Sequence, residues 1–237
     1  MKKNGIEWIN SEGLDLKEVD IQGVLFDMDG VILDTEKLYT RFWQEAARAL
    51  GYPMTREQAL GMRSMNRSEG ERRLQSYFGM SVSYERIRNK RIELMNAFVE
   101  KEGVELKPGI RELLAYLKSK NIKTSIATSS PMERAIKYLG SFHLEKEFDE
   151  ITTVYMVEKG KPEPDIYLYA AKKLGLCPQN CLVLEDSPTG IKAGSAAGCV
   201  TVMVPDQDQP DEETKKLLFA SADNLEAVIA LLEALRK

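Results

Sequence analysis

The chain has 237 residues, of which 43% are hydrophobic, 30% charged and 8% aromatic, and its net charge is −4 from 33 basic and 37 acidic side chains. These values are typical of one large globular domain, or of a domain with an insert, and exclude collagen-like, coiled-coil and wholly disordered chains. A negative charge without a basic block argues against a nucleic-acid partner, because contacts to phosphates supply most of that affinity.

Histidine and cysteine are scarce. The single histidine, His143, excludes His-rich zinc sites and argues against a Ser-His-Asp triad. Three cysteines without a CxxC pair predict a reducing compartment, so we expect a cytoplasmic protein. No apolar run reaches the length of a membrane helix, and we expect neither a secretory signal nor a membrane partner.

The first half of the chain is predicted to be one strand followed by helices. Residues 1–20 are expected to be a short appendage, in part disordered. An apolar run at 21–26 predicts a buried strand that ends at Asp27. Helical periodicity and helix-stop signals then predict four helices, at 38–50, 55–61, 68–78 and 84–102.

Strands and helices alternate in the remainder. The predicted strands are 123–127, 150–153, 181–184 and 200–204, and the predicted helices are 108–120, 131–140, 165–174, 189–197 and 224–236. This alternation predicts an α/β fold, a doubly wound, Rossmann-like parallel sheet with an all-helical cap inserted after the first strand. The expected domains are a core, 1–34 with 104–237, and a cap, 35–103.

Polar side chains follow four of the predicted strands, at the edge where open parallel sheets bind ligands. They are Asp27 and Asp29, Thr128 and Ser129, Lys161, and Glu185 with Asp186. Helix capping would explain any one of these positions, but not two separate acidic pairs. Crowded carboxylates raise one another's pKa unless a cation lies between them, and oxygen ligands with a phosphate favour Mg²⁺.

The other strand-end residues suit an anion. Thr128 precedes a helix start, where free N–H groups and the helix dipole attract negative charge, and Lys161 adds a full positive charge. Together with Mg²⁺ these groups predict a phosphoryl site. A carboxylate can then act as nucleophile and form an aspartyl-phosphate, while a second carboxylate handles the proton of the leaving group.

The motifs, in their order and spacing, resemble those of the haloacid dehalogenase superfamily of phosphotransferases, and a helical insert entered through Asp34-Thr35-Glu36 resembles its β-phosphoglucomutase-like branch. The strings that carry the resemblance are Asp27-x-Asp29-Gly30-Val31, Thr128-Ser129, Lys161-Pro162-x-Pro164-Asp165-x-Tyr167 and Glu185-Asp186-Ser187-x-x-Gly190. The match runs from about Ile21 to Pro205. The resemblance implies a phosphatase, or a hexose-phosphate mutase, acting on a small phosphorylated metabolite, and we expect a monomer.

The resemblance also implies roles for the strand-end residues. Asp27 is the expected nucleophile, and Asp29 the general acid that later activates water. Phosphate oxygens would contact Thr128, the Ser129 amide and Lys161. The implied Mg²⁺ ligands are the Asp27 carboxylate, the Asp29 carbonyl and Asp186. Glu185 would bind the ion directly or through water, or would contact the ligand residues without binding the ion.

Specificity in this branch depends on the cap. Glu36 and Arg63 are the candidate substrate contacts, with Arg67 a third, although a solvated arginine is an equally ordinary interpretation of Arg63. The mutases carry a histidine in the first cap helix where Tyr39 stands here, and a cap-loop arginine where Ser64 aligns. These differences favour a phosphatase over a mutase.

Other protein classes fit less well. A receiver domain is shorter and lacks the helical insert, and a dinucleotide-binding oxidoreductase needs a glycine-rich first turn. A dehalogenase of the same superfamily needs neither Asp29 nor Asp186. A non-catalytic phospholigand-binding protein remains an alternative, although each expected catalytic residue is present.

Overall fold

The computed structural model describes residues 2–10, 19–63, 65 and 67–236. The chain divides into two compact units, one built from the segments up to Leu33 and from Leu106 onward, the other spanning Asp34–Glu105. Among the helices of the described residues, none is long and apolar enough to cross a membrane. The assignment of the second unit as a cap stays a prediction.

In the described residues, the first unit forms one eight-stranded sheet. Its strands are β1 (Lys2–Lys3), β2 (Ile6–Trp8), β3 (Gly23–Phe26), β4 (Lys123–Thr128), β5 (Glu150–Thr153), β6 (Cys181–Glu185), β7 (Val200–Met203) and β8 (Ala220–Ala222). The spatial order is β1-β2-β8-β7-β6-β3-β4-β5. All neighbours from β8 to β5 are parallel, which confirms the predicted fold class.

The N-terminal residues differ from the prediction of an appendage, which is wrong for residues 2–10. β1 and β2 extend the sheet by two antiparallel strands, and β2 pairs with β8, a strand that the sequence did not predict. Ile6 is buried at this edge. Residues 11–18 of the expected appendage lie outside the described residues.

The central strands set the edge on which the polar residues lie. Every residue of β3 and β6 is buried, which explains their continuous apolar sequences, since strands covered on both faces need no polar alternation. The parallel register pairs Phe26 with Ile126 of β4 and with Leu184 of β6. Asp27 and Glu185 therefore leave neighbouring strands at the same level.

Ten α-helices occur in the described residues. They are α1 (Glu36–Ala49), α2 (Arg56–Leu60), α3 (Arg67–Phe78), α4 (Tyr84–Glu102), α5 (Ile110–Ser119), α6 (Met132–Gly140), α7 (Asp165–Leu174), α8 (Pro188–Ala196), α9 (Glu212–Lys215) and α10 (Leu225–Leu235). The short α9 was not predicted. α7 packs on the sheet, where Tyr167 and Ala170 join a buried cluster with Leu25 and Val183.

The second unit contains α1 to α4 and, in its described residues 34–63, 65 and 67–105, no strand. Its core is formed by Trp43, Ala46, Ala47, Met54, Ala59, Met62, Leu74, Val82, Tyr84 and Ile87. α3 approaches α4 closely at Gly70, where a Cβ atom would lie 2.4 Å from the Tyr84 ring. Glycine at this position therefore permits the helix contact.

Candidate active site

The turn after β3 places two aspartates at the end of the central strand. The Asp27 amide donates to the Leu184 carbonyl at 2.9 Å, so the strand pairing continues up to this residue. The chain then turns tightly, with Gly30 at φ +89° and its amide bonded to the Leu33 carbonyl. A positive φ favours glycine, which explains this residue in the Asp27-x-Asp29-Gly30 motif.

Lys161 bonds to residues at the ends of three strands, β3, β4 and β6. Its ammonium donates to Asp27 Oδ1 at 2.5 Å, to Glu185 Oε1 at 2.6 Å and to the Ala127 carbonyl at 3.0 Å. These bonds use all the donors of a lysine. Burial opposes its charge, but the Asp27 and Glu185 carboxylates outweigh burial and raise the pKa of Lys161 above its ordinary value.

Glu185 is the most enclosed carboxylate of the site. Besides the bond from Lys161, Oε1 accepts one from the Tyr167 hydroxyl at 2.6 Å, and Oε2 accepts one from the Ser187 hydroxyl at 3.0 Å. Burial and the Glu185 charge raise the pKa of Tyr167, so this hydroxyl stays protonated and donates. A Cβ atom at Gly190 would lie 1.8 Å from Glu185 Cδ.

Three carboxylates converge at this edge. Ligand atoms of Asp27, Glu185 and Asp186 all lie within 4.8 Å of one another, and all three residues are buried. Burial raises the pKa of Asp27 to about 8, Lys161 opposes this rise, and the charges of Glu185 and Asp29 add to it. One lysine thus does not neutralise the cluster, and a divalent cation held by oxygen ligands suits this donor set.

The Asp29 carboxylate bonds to residues outside the group of Asp27, Glu185 and Asp186. The Ser130 hydroxyl donates to its Oδ2 and the Arg134 guanidinium to its Oδ1, each at 2.9 Å. Sequence reasoning missed both partners. Ser130 is adjacent to the Thr128-Ser129 motif and could have been considered, whereas Arg134 is one of several arginines and carries no motif signal.

The expected phosphate-binding residues lie at the end of β4. Thr128 is fully buried, and its hydroxyl accepts a bond from the Ser130 amide at 3.0 Å. Ser129 is exposed. Pro131 is the N-cap of α6, which begins one residue later than predicted, and no side chain caps the helix start. This leaves N–H groups at the helix start that suit an anion.

The candidate substrate residues lie in the second unit. Arg63 lies 3.7 Å from Glu36, with side chains 5% and 12% exposed, so the structure brings these two residues together. Arg67 pairs instead with Glu85 at 2.9 Å, and both of these side chains are exposed. The Arg91 guanidinium lies 4.8 Å from the centre of the Tyr39 ring. Ser64, compared above with a mutase arginine, lies outside the described residues.

Comparison with known proteins supplies relatives for this arrangement. Residues 24–204 match the family model described as haloacid dehalogenase-like hydrolase. The chain is 36% identical to the phosphorylated carbohydrates phosphatase of Thermotoga maritima, over 75% of this chain and 82% of that protein. It is 32% identical to the β-phosphoglucomutase of Bacillus subtilis, over 80% and 85% of the two chains.

A solved structure is similar to this chain over most of its length. The β-phosphoglucomutase of Clostridium difficile superposes with a TM-score of 0.71 at 26% identity, and the alignment covers 91% of this chain and 97% of that one. The match includes both units of the chain.

Proposed function

Since the chain belongs to the haloacid dehalogenase-like hydrolases, we propose that it is a Mg²⁺-dependent phosphatase that hydrolyses a small sugar phosphate through an aspartyl-phosphate. The observation that carries this proposal is the buried group of Asp27, Glu185 and Asp186, together with Lys161, which bonds to Asp27 and Glu185. Such a group combines a nucleophile, a cation-binding donor set and a fixed positive charge for phosphate.

In the proposed reaction, a carboxylate oxygen of Asp27 attacks phosphorus and the bond to the sugar oxygen breaks. Asp29 gives its proton to that leaving oxygen. In the second half, water attacks phosphorus, Asp29 takes the water proton, and the electrons of the breaking P–O bond return to Asp27. The phosphate oxygens would contact the Thr128 hydroxyl, the Ser129 amide and Lys161, whose ammonium would exchange one of its three present acceptors for a phosphate oxygen.

Asp27, the Asp29 carbonyl and Asp186 would hold Mg²⁺, which supplies positive charge against the developing charge on the phosphoryl group. Both oxygens of Glu185 already accept hydrogen bonds from Lys161, Tyr167 and Ser187. This favours a role in which Glu185 orients Lys161 and reaches the ion through water.

The substrate would contact Glu36 and Arg63 of the second unit, the proposed cap, and the phosphorylated carbohydrates phosphatase relative supports a sugar phosphate. The β-phosphoglucomutase relatives favour a hexose-phosphate mutase as the second candidate. Tyr39 argues against it, because a phenol beside Arg91 does not exchange protons as an imidazole does. A monomer and a cytoplasmic location complete the proposal, and three free cysteines support the latter.

The test is phosphate release from phosphorylated sugars and p-nitrophenyl phosphate by the wild type and by Asp27→Asn. The nearly isosteric amide should lower the rate by several powers of ten, because it removes the covalent path. Asp223→Asn is the matched control, since this exposed carboxylate pairs with Lys2 at the surface. More than a few per cent of wild-type activity in Asp27→Asn would refute the nucleophile.

A second assay separates the two candidates. With β-glucose 1-phosphate and a trace of the 1,6-bisphosphate, a phosphatase releases phosphate. Rapid formation of glucose 6-phosphate with negligible phosphate release would make the mutase the function.

A further inference from the structure

The Asp29 carboxylate is held at both of its oxygens by the segment that begins α6. The Ser130 hydroxyl donates to Oδ2 and the Arg134 guanidinium to Oδ1, and the side chain of Asp29 is only 16% exposed. A hydrogen bond between an arginine and a carboxylate that are both largely shielded from solvent is stronger than one between neutral groups. The orientation of Asp29 therefore depends on these two donors.

Each donor is itself fixed. The Arg134 guanidinium lies 5.0 Å from the centre of the Tyr138 ring, one helical turn along α6, and Tyr138 is buried. Ser130 is 5% exposed, and its amide bonds to the Thr128 hydroxyl at the end of β4. The two donors thus connect Asp29 to the rigid end of the sheet and to the first turns of α6.

We infer that Arg134 and Ser130 are positioning residues for Asp29, which set the direction from which it exchanges protons with water and with the leaving group. The inference rests on the proposed function, in which Asp29 is the acid and base. Loss of the donors lets the carboxylate rotate, and a poorly placed base slows water attack on the aspartyl-phosphate.

The test uses p-nitrophenyl phosphate, whose phenolate leaves without needing a proton. Its first half-reaction is therefore insensitive to Asp29, whereas the second half-reaction still needs a base. In Arg134→Met with Mg²⁺ present, kcat should fall about 10- to 100-fold, and KM should fall with it, so that kcat/KM, which reports the first half-reaction, changes little. Rapid mixing should show a burst of about one nitrophenolate per enzyme molecule, because hydrolysis of the aspartyl-phosphate has become limiting.

Matched variants separate positioning from a structural effect. Arg134→Lys keeps a donor and should recover part of kcat. Ser130→Ala should lower kcat in the same direction, and it tests the inference even if Arg134→Met does not fold. Lys137→Met removes an exposed cation from the same helix and should behave as the wild type. Asp29→Asn should show the same burst with a larger loss of kcat.

The outcomes distinguish the two proposals. If the wild type does not hydrolyse any phosphate ester, or if Asp29→Asn keeps full activity, the proposed function or its acid–base residue is wrong. If the wild type and Asp29→Asn behave as expected, while Arg134→Met and Ser130→Ala keep the wild-type kcat or exceed it, the positioning role alone is refuted.

Discussion

A single methyl group at Gly190 should damage both the stability and the activity of the protein. This glycine lies in the first turn of α8, where its amide bonds to the Ser187 hydroxyl at 3.1 Å. A Cβ atom would lie 1.8 Å from Glu185 Cδ, whereas real Cβ atoms keep at least 3.0 Å from their neighbours. In Gly190→Ala, the Glu185 side chain therefore has to retreat.

The displacement of Glu185 lowers the stability of the protein, and the hydrogen bonds of its carboxylate determine by how much. Oε1 accepts bonds of 2.6 Å from both Lys161 and Tyr167, and the displacement stretches or breaks at least one of them. A buried hydrogen bond to a charged group contributes about 1.5–3 kcal/mol. Alanine regains up to about 1 kcal/mol as a better helix former than glycine. The net loss in the free energy of unfolding should be about 0.5–3 kcal/mol, which overlaps the usual cost of overpacking.

The assay is denaturant unfolding of Gly190→Ala beside Gly140→Ala, with phosphate release measured on both. Gly140 ends α6, and nothing lies within 4 Å of its ideal Cβ position, so this control should match or slightly exceed the wild-type stability. Gly190→Ala should also lose activity, since Lys161 loses the carboxylate that orients it. Wild-type stability together with wild-type kcat in Gly190→Ala would refute the reasoning.

Three further predictions concern the metal, a buried hydrogen bond and a close contact between two helices. Chelation with EDTA should abolish phosphate release, and added Mg²⁺ should restore it. Ca²⁺ should substitute poorly, since the site is expected to hold Mg²⁺, which requires near-octahedral geometry. Activity that survives exhaustive chelation would contradict the cation site. Tyr167→Phe removes the hydroxyl that bonds to Glu185 and should lower the free energy of unfolding, measured with denaturant, by about 1–3 kcal/mol. If the midpoint and the slope of the unfolding curve are unchanged, that hydrogen bond does not contribute to stability. Gly70→Ala places a methyl group 2.4 Å from the Tyr84 ring and should destabilise the second unit by about 1–3 kcal/mol, although alanine is the better helix former. The same unfolding assay measures this change. A gain in stability would show that the Tyr84 side chain can move aside without loss of stability.

The central sheet could be predicted because its strands are buried on both faces. β3 and β6 are runs of apolar residues that end abruptly at acidic ones, and parallel pairing then brings those ends together. The edge strands carry no such signal. β1 and β2 are two and three residues long and β8 reads Ala-Ser-Ala, so their pairing depends on neighbours in space rather than on local preference.

The site shows the same division. Strand ends marked the positions of Asp27, Lys161 and Glu185, because each follows or faces a recognisable strand. The partners of Asp29 could not be found in this way. Arg134 reaches the site from inside a helix, and only the packing of α6 against the sheet determines what it contacts.

The position of β3 in the middle of the sheet has a consequence for synthesis on the ribosome. Asp27 emerges early, but Lys161, which binds it, follows 134 positions later, and one of the two strands that flank β3 is β6. A nascent chain that stops before Cys181 contains Asp27, the proposed nucleophile, yet lacks strand β6 and the acidic residues Glu185 and Asp186. Closing such distant pairs is slow, so the site is completed only after most of the chain has been made.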